Sequence, residues 1–501
     1  MGIRIPDVLI IGAGSAGSVI ANRLSADPAR SVLVVESGGR VVDPDMRRPE
    51  LWPAIHGRDY DWAYRTTPQR GLDGRSLEWA RGKGLGGSSL IHAMAHMRGC
   101  RADFDRWVDA TGDGRWSYDA LIPFFDEMDE RLHVIHPEPG LSSPLVQDYL
   151  SAWESLGVRR IPHHNTGEMI GATANSLTID NGRRVTAADG WLDPVLDRAN
   201  LEVLTEATVV RLIVTDGRAI GAELVVDGTT TVVHAGDVVL AAGSLGDAML
   251  AMRSGIGDPD ELGRHGIPVL LESPEVGRNL HDHLLGAGVV YRSARPVPPT
   301  RLQLSESMTY LSADGLDVQE GPADIVVGCV VAPSASERFD PGVPAGEGYT
   351  LLFGVTNPDS RGSVRLSGPA PDDAPVLDPQ YLTTEHDRAM FRSAFRHARL
   401  VGGSEGLAPW RRTEVVPGAT VGDDDAAIDA FIASAAITHH HPVGTMRMGK
   451  DDAAPVRPDL RFRGLEGLHV ADAAVIPSIT AGPVHASVLA IAESFSAAFT
   501  G

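Results

Sequence analysis

Asp7-Val8-Leu9-Ile10-Ile11-Gly12-Ala13-Gly14-Ser15-Ala16-Gly17 joins a short apolar run to a G-x-G-x-x-G hexapeptide. Val8–Ile11, four branched apolar residues in a row without polar alternation, reads as a strand buried on both faces of a parallel sheet. Val19, Ile20 and Leu24 then recur at helical spacing, Pro28 ends that helix, and Val32–Val35 is a second apolar strand. Strand, glycine turn, helix and strand within about thirty residues make a right-handed βαβ unit. In such a unit Gly12 permits the tight turn, Gly14 lets a pyrophosphate approach the backbone, and Gly17 lets helix and strand pack closely. Ser15 and Ala16 open the helix, where unpaired N–H groups attract phosphate.

Glu36 ends the second strand, 36 − 17 = 19 residues beyond the last glycine. A carboxylate there accepts from a ribose 2′-OH, which favours FAD or NAD over NADP. A second glycine cluster follows, Arg81-Gly82-Lys83-Gly84-Leu85-Gly86-Gly87-Ser88-Ser89, and continues as Leu90-Ile91-His92-Ala93-Met94-Ala95-His96. Near the C-terminus stand His441-Pro442-Val443-Gly444-Thr445 and Gly482-Pro483-Val484-His485. An imidazole titrates near neutrality and can take a proton from a weakly acidic group.

Taken together these segments resemble the glucose–methanol–choline oxidoreductase family, which carries an N-terminal dinucleotide motif, an R-G-x-x-L-G-G-S-S loop and an H-P-x-G-T segment. Ala241–Gly246 with Ser254–Gly257, and Val276–His283, resemble further family signatures. Matches run in family order from about residue 7 to 495, with no landmark between about 284 and 355. The resemblance implies an α/β fold: a Rossmann-like FAD-binding domain over residues 1–283 and 442–501, and a discontinuous α+β substrate-binding domain over 284–441. Expected cofactor contacts are Gly12, Gly14, Ser15, Ala16, Gly17, Glu36, Ser37, Arg81, Gly84, Leu85, Gly87, Ser88, His92, Ala93, Met94, Ala95, Val209, Asp472, Ala473 and His485. Ile91 stands where relatives with a covalent flavin have histidine, so the FAD is expected to be non-covalent. Many members have Asn where this chain has His92, although aryl-alcohol-oxidising members carry His.

The reaction the resemblance implies is oxidation of a small-molecule alcohol to a carbonyl. His441 matches the family base, and His485 the position that assists at the substrate oxygen; oxygen or another acceptor then takes the electrons. Rival readings are a non-oxidative member such as a cyanohydrin lyase, an FAD redox protein without turnover, and an NAD-dependent dehydrogenase.

Composition limits the partners. With 44 basic and 66 acidic residues the net charge is −22, which repels nucleic acid and anionic lipid. Cys100 and Cys329 are the two cysteines, too few and too far apart for a disulfide framework. Met1–Pro6 lacks an apolar signal segment and no run suits a membrane span, so a cytoplasmic location is expected. Residues 40–80 are expected to wander over the surface. Strands are expected at Leu201–Leu204, Val209–Val214, Ile220–Val226, Asp237–Ala242 and Leu468–Val470, with turns at Asp216-Gly217 and Asp227-Gly228. A helix is expected from Ser487 to Phe499. Of the other histidines, His163-His164 reads as a solvated pair, and His281 and His283 as holding a loop around Asp282. His439-His440-His441 lacks i,i+4 spacing, and its members are expected to point apart, so no metal is predicted.

Overall fold

The computed structural model describes residues 5–500; of the Met1–Pro6 segment, residues 1–4 therefore lie outside it. Val8–Ile11 is the central strand of a five-stranded parallel sheet ordered Leu468–Val470, Asp237–Leu240, Val8–Ile11, Val32–Val35, Leu201–Leu204. All four of its residues are buried, as its unbroken apolar run requires. Helix Ser15–Leu24 crosses back over the sheet and packs against the C-terminal helix His485–Thr500.

A three-stranded antiparallel sheet, Ala207–Thr215, Arg218–Val226 and Thr229–His234, branches from this body. Its two turns have positive φ at Asp216 and Gly217 and at Asp227 and Gly228. That is the geometry Asp-Gly favours in a tight hairpin. The expected strands are present within one or two residues, the strand from Asp237 stopping at Leu240.

The second layer is a six-stranded sheet. Its order is Ser305–Leu311, Ile325–Val330, Gly348–Val355, Leu284–Ser293, Arg411–Val416, and Ala436–Thr438 also pairs with Leu284–Ser293. Helix Glu385–Gly403 covers one face through Phe391 and Phe395, whose rings meet Phe353 edge-on. Cavity-lining residues such as Leu285, Met308 and Leu352 mark the other face.

Two expectations fail here. Residues 40–80 do not merely wander: Met46, Ile55, Leu72 and Trp79 are buried, and Trp52, His56 and Trp62–Arg65 wall a cavity. Nor is His164 solvated. It is 1% exposed, with its ring nitrogens 3.2 and 3.0 Å from the carbonyls of Met169 and Met308, while His163 stacks on His136. For His164 the signal was partly out of reach, because one of its two carbonyl partners, Met308, lies 144 positions away.

Candidate active site

A cavity of about 960 Å³ runs from the end of the parallel sheet to the six-stranded sheet. It reaches the upper end of the range for small-molecule sites, about 300–1,000 Å³. Of the residues named from the sequence, all but Gly17, Gly84 and Leu85 line it. Those three act from behind. Gly17 packs on the Gly12 carbonyl, Leu85 is buried, and the Gly84 N–H donates to Glu36 at 3.1 Å.

The two glycine loops touch. A Cβ on Gly87 would lie 2.6 Å from the Gly14 Cα, whereas one on Gly14 would find only Gly87 Cα within 4 Å, at 3.7 Å. Backbone is therefore open toward the cavity just where helix Ser15–Leu24 begins, and no side chain caps that helix. A phosphate fits this end. Glu36 is buried and accepts from the N–H groups of Ala13 (2.9 Å), Gly38 (2.8 Å) and Gly84. It ties both glycine loops together and keeps lone-pair capacity for a ribose hydroxyl. Burial pushes its carboxyl upward, and the three N–H bonds pull it back.

At the other end the 438–441 turn is organised by Asp282. One oxygen accepts from the His441 N–H at 2.6 Å; the other accepts from Thr438 Oγ1 at 2.6 Å and from the Tyr381 hydroxyl. Burial raises the Asp282 carboxyl to about 6. The turn brings His439 and His441 together, with ring centroids 4.3 Å apart, while His440 turns away onto His56 at 5.2 Å. The expectation that the triplet would point apart is thus corrected for its outer members. His283 joins them, and one nitrogen from each of His283, His439 and His441 lies within 4.8 Å of the others, a spacing a metal ion could span.

Hydrogen bonds fix the protons of this cluster. His283 Nε2 lies 2.8 Å from the Thr356 carbonyl, which only accepts, so Nε2 carries the hydrogen. Burial brings His283 down to about 4, so the ring is neutral and its Nδ1 is a lone pair. His441 Nδ1 is 2.9 Å from that lone pair and must donate to it. The His441 Nε2 lone pair is then free. Burial first, and then the neighbouring His439, His283 and Arg81, hold His441 well below its ordinary value, so it stays neutral. His283 is therefore more than a loop anchor, since it sets the tautomer of His441.

His485 is placed elsewhere. Its Nε2 is 3.1 Å from Ser15 Oγ, and its ring meets His92 at 4.9 Å; no ring contact to His441 occurs among the described residues. The structure thus sets it against Ser15 and His92. His439, missed in the sequence, is the imidazole that accompanies His441. Its signal was the i,i+2 spacing, which needed the turn at His440 (φ 61°) to be known.

Comparison with known proteins identifies this arrangement. The GMC oxidoreductase pattern matches residues 6–285 and again 358–492. Pyridoxine 4-oxidase of Microbacterium luteolum is 51% identical, over 98% of this chain and 99% of that one. The alcohol dehydrogenase [acceptor] of Pseudomonas putida is 32% identical, over 97% and 94%. Crystalline pyridoxine 4-oxidase from Mesorbium loti superposes with a TM-score of 0.96 at 48% identity, covering 99% of both chains. The chain belongs to the GMC oxidoreductases.

As such it is an FAD-dependent oxidoreductase acting on CH–OH groups. This GMC oxidoreductase has a cradle that fits the cofactor: open backbone at Gly14, an uncapped helix start, and a buried Glu36 that ties the two glycine loops and lines the cavity. Among the described residues no helix is long and apolar enough to cross a membrane.

Proposed function

We propose that this GMC oxidoreductase oxidises the hydroxymethyl group of a small, neutral aromatic alcohol of the pyridoxine type to an aldehyde, with oxygen as acceptor. The observation that carries the mechanism is the Thr356–His283–His441 chain, which leaves His441 Nε2 as a bare, neutral base at the cavity wall. The substrate class is supported by 51% identity to a pyridoxine 4-oxidase over nearly all of both chains. It is also supported by the lining contributed from the six-stranded sheet and its neighbouring loops, where Leu285, Met308, Leu352 and Ile437 are apolar and Gln303 and Ser305 are neutral and polar. Apolar side chains with a few neutral polar groups suit a flat ring with hydroxyl substituents.

Residues 1–283 and 442–501 are assigned to the cofactor and 284–441 to the substrate. FAD, held non-covalently, would supply a hydride acceptor there. His441 Nε2 takes the hydroxyl proton, and its Nδ1–H stays bonded to His283, which steadies the ring as it becomes charged. His439 lies beside His441 and shares the alcohol oxygen. His485 assists from the cofactor side, where Ser15 holds it. Asp282 keeps the turn in place through the His441 N–H.

The test is anaerobic mixing of the yellow protein with pyridoxine and with other primary alcohols, followed by air. Bleaching by pyridoxine, an aldehyde product and rapid recolouring are expected. A flavin that pyridoxine leaves oxidised would refute the substrate assignment, and slow recolouring in air would refute oxygen as acceptor.

A further inference from the structure

We propose that Arg184 serves the bound flavin as a positioning residue: it locks His92, a residue of the cavity wall, as a neutral Nε2–H donor and sets an unpaired positive charge behind that ring. The proposal rests on the FAD placement given above.

His92 Nδ1 receives two donors, Arg184 Nη1–H at 2.9 Å and the Met94 N–H at 3.1 Å. A nitrogen that accepts twice bears no hydrogen, so the proton of the neutral ring is on Nε2. That Nε2 is buried and has no partner among the described residues, although His92 lines the cavity. An N–H left buried and unbonded is costly, and an acceptor brought to this wall by a ligand would satisfy it. Burial, together with the nearby His485 and Arg184, holds His92 well below its ordinary value, which keeps it neutral.

Arg184 itself is 1% exposed. Its guanidinium meets the carbonyls of Met46 (2.9 Å), Ser89 (3.4 Å) and His92, and Nη2 has no partner. It forms no ion pair among the described residues. Asp189, in the adjoining turn, is taken by Arg47 and by the Thr186 N–H and hydroxyl. Burial draws the guanidinium down to about 9, which still leaves it charged at neutral pH. A buried, unpaired charge is expensive, and the chemistry supplies a transient counter-charge. When the alcohol's α-C–H bond breaks, its electron pair goes with the hydrogen to the flavin, and the hydroxyl proton goes to His441. The flavin side then gains one negative charge. A fixed donor and a cation behind it stabilise that charge without reorganising.

Sulfite tests this apart from turnover, because it adds to flavin N5 and leaves the same negative charge on the ring. FAD-loaded wild type, Arg184→Met, Arg184→Lys and His92→Phe are titrated with sulfite, and alcohol KM and kcat are measured alongside. The Met and Phe variants should weaken sulfite binding by about tenfold or more, the loss expected for a hydrogen bond to charge. Lys, which keeps the charge, should weaken it less. If Arg184→Met does not fold, the Lys and Phe variants carry the comparison. ¹⁵N-histidine NMR of the wild type should show the Nε2–H form for His92, assigned by its loss in His92→Phe. Unchanged sulfite affinity in FAD-replete variants, an Nδ1–H tautomer, or an effect confined to alcohol KM would each overturn the proposal. Unchanged sulfite affinity with normal reduction by alcohol would sink this inference alone; a wild type without FAD would sink the functional reading as well.

Discussion

Replacing His441 by alanine removes the one imidazole nitrogen whose lone pair the hydrogen-bond chain leaves free. A positioned general base is worth about two to four orders of magnitude. At 1.36 kcal/mol per decade that is about 2.7–5.4 kcal/mol of barrier. The structural loss is smaller. Among the described residues His441's side chain makes one hydrogen bond, to His283 Nδ1. Its backbone N–H, which binds Asp282, is untouched by the substitution. FAD should therefore stay bound and the fold should survive. Anaerobic stopped-flow reduction with an alcohol that bleaches the wild type is the assay.

The pH dependence carries a second, independent check. His441 is held well below its ordinary value, chiefly by burial. A lowered base is protonated only in acid, so wild-type reduction should be flat through neutral and alkaline pH and fall only below the ordinary histidine range. His441→Ala should instead gain rate toward high pH, because hydroxide can stand in for a missing base. Equal reduction rates for the two proteins, or a variant that gains nothing from alkali, would refute the assignment.

His283→Ala should slow reduction by about one to two orders. That is less than the ~10⁴ lost when a catalytic histidine is locked in the wrong tautomer, since alanine leaves both tautomers of His441 open; an unchanged rate would count against the tautomer argument. Glu36→Ala strands three buried N–H groups at about 1–3 kcal/mol each, so both thermal stability and the flavin-to-protein absorbance ratio should drop, and full FAD retention would show the ribose to be held elsewhere. Burial and the charge of Asp472 raise Asp247 well above its ordinary value. A raised folded-state pKa gives stability that is present at acid pH and lost as pH rises, so Asp247→Asn should match wild type in acid melts and exceed it in alkaline ones; parallel melting curves across pH would contradict this.

The parts of this molecule legible in the sequence are those fixed by local rules. Val8–Ile11 announces its place by being apolar at every position, and Gly12, Gly14 and Glu36 announce theirs by spacing within one βαβ unit. The chemistry at the other end obeys no such rule. His441 was visible only through a family segment, and what makes it a base is a proton arrangement set by Thr356 and His283, 441 − 283 = 158 positions apart for the last pair. His485 shows the converse. Its segment placed it in the cavity, but the start of its helix carries its ring onto Ser15 and His92, at the cofactor's side. The two histidines thus divide the work by position. One nitrogen free at the substrate wall is needed to take a proton, and a ring bonded to Ser15 is better suited to hold what receives the hydride. A double variant sharpens the point: if the roles are separate, His441→Ala and His485→Ala should cost rate and FAD retention respectively, and their effects should add. Strong non-additivity in reduction rate would place both imidazoles on the same substrate oxygen after all.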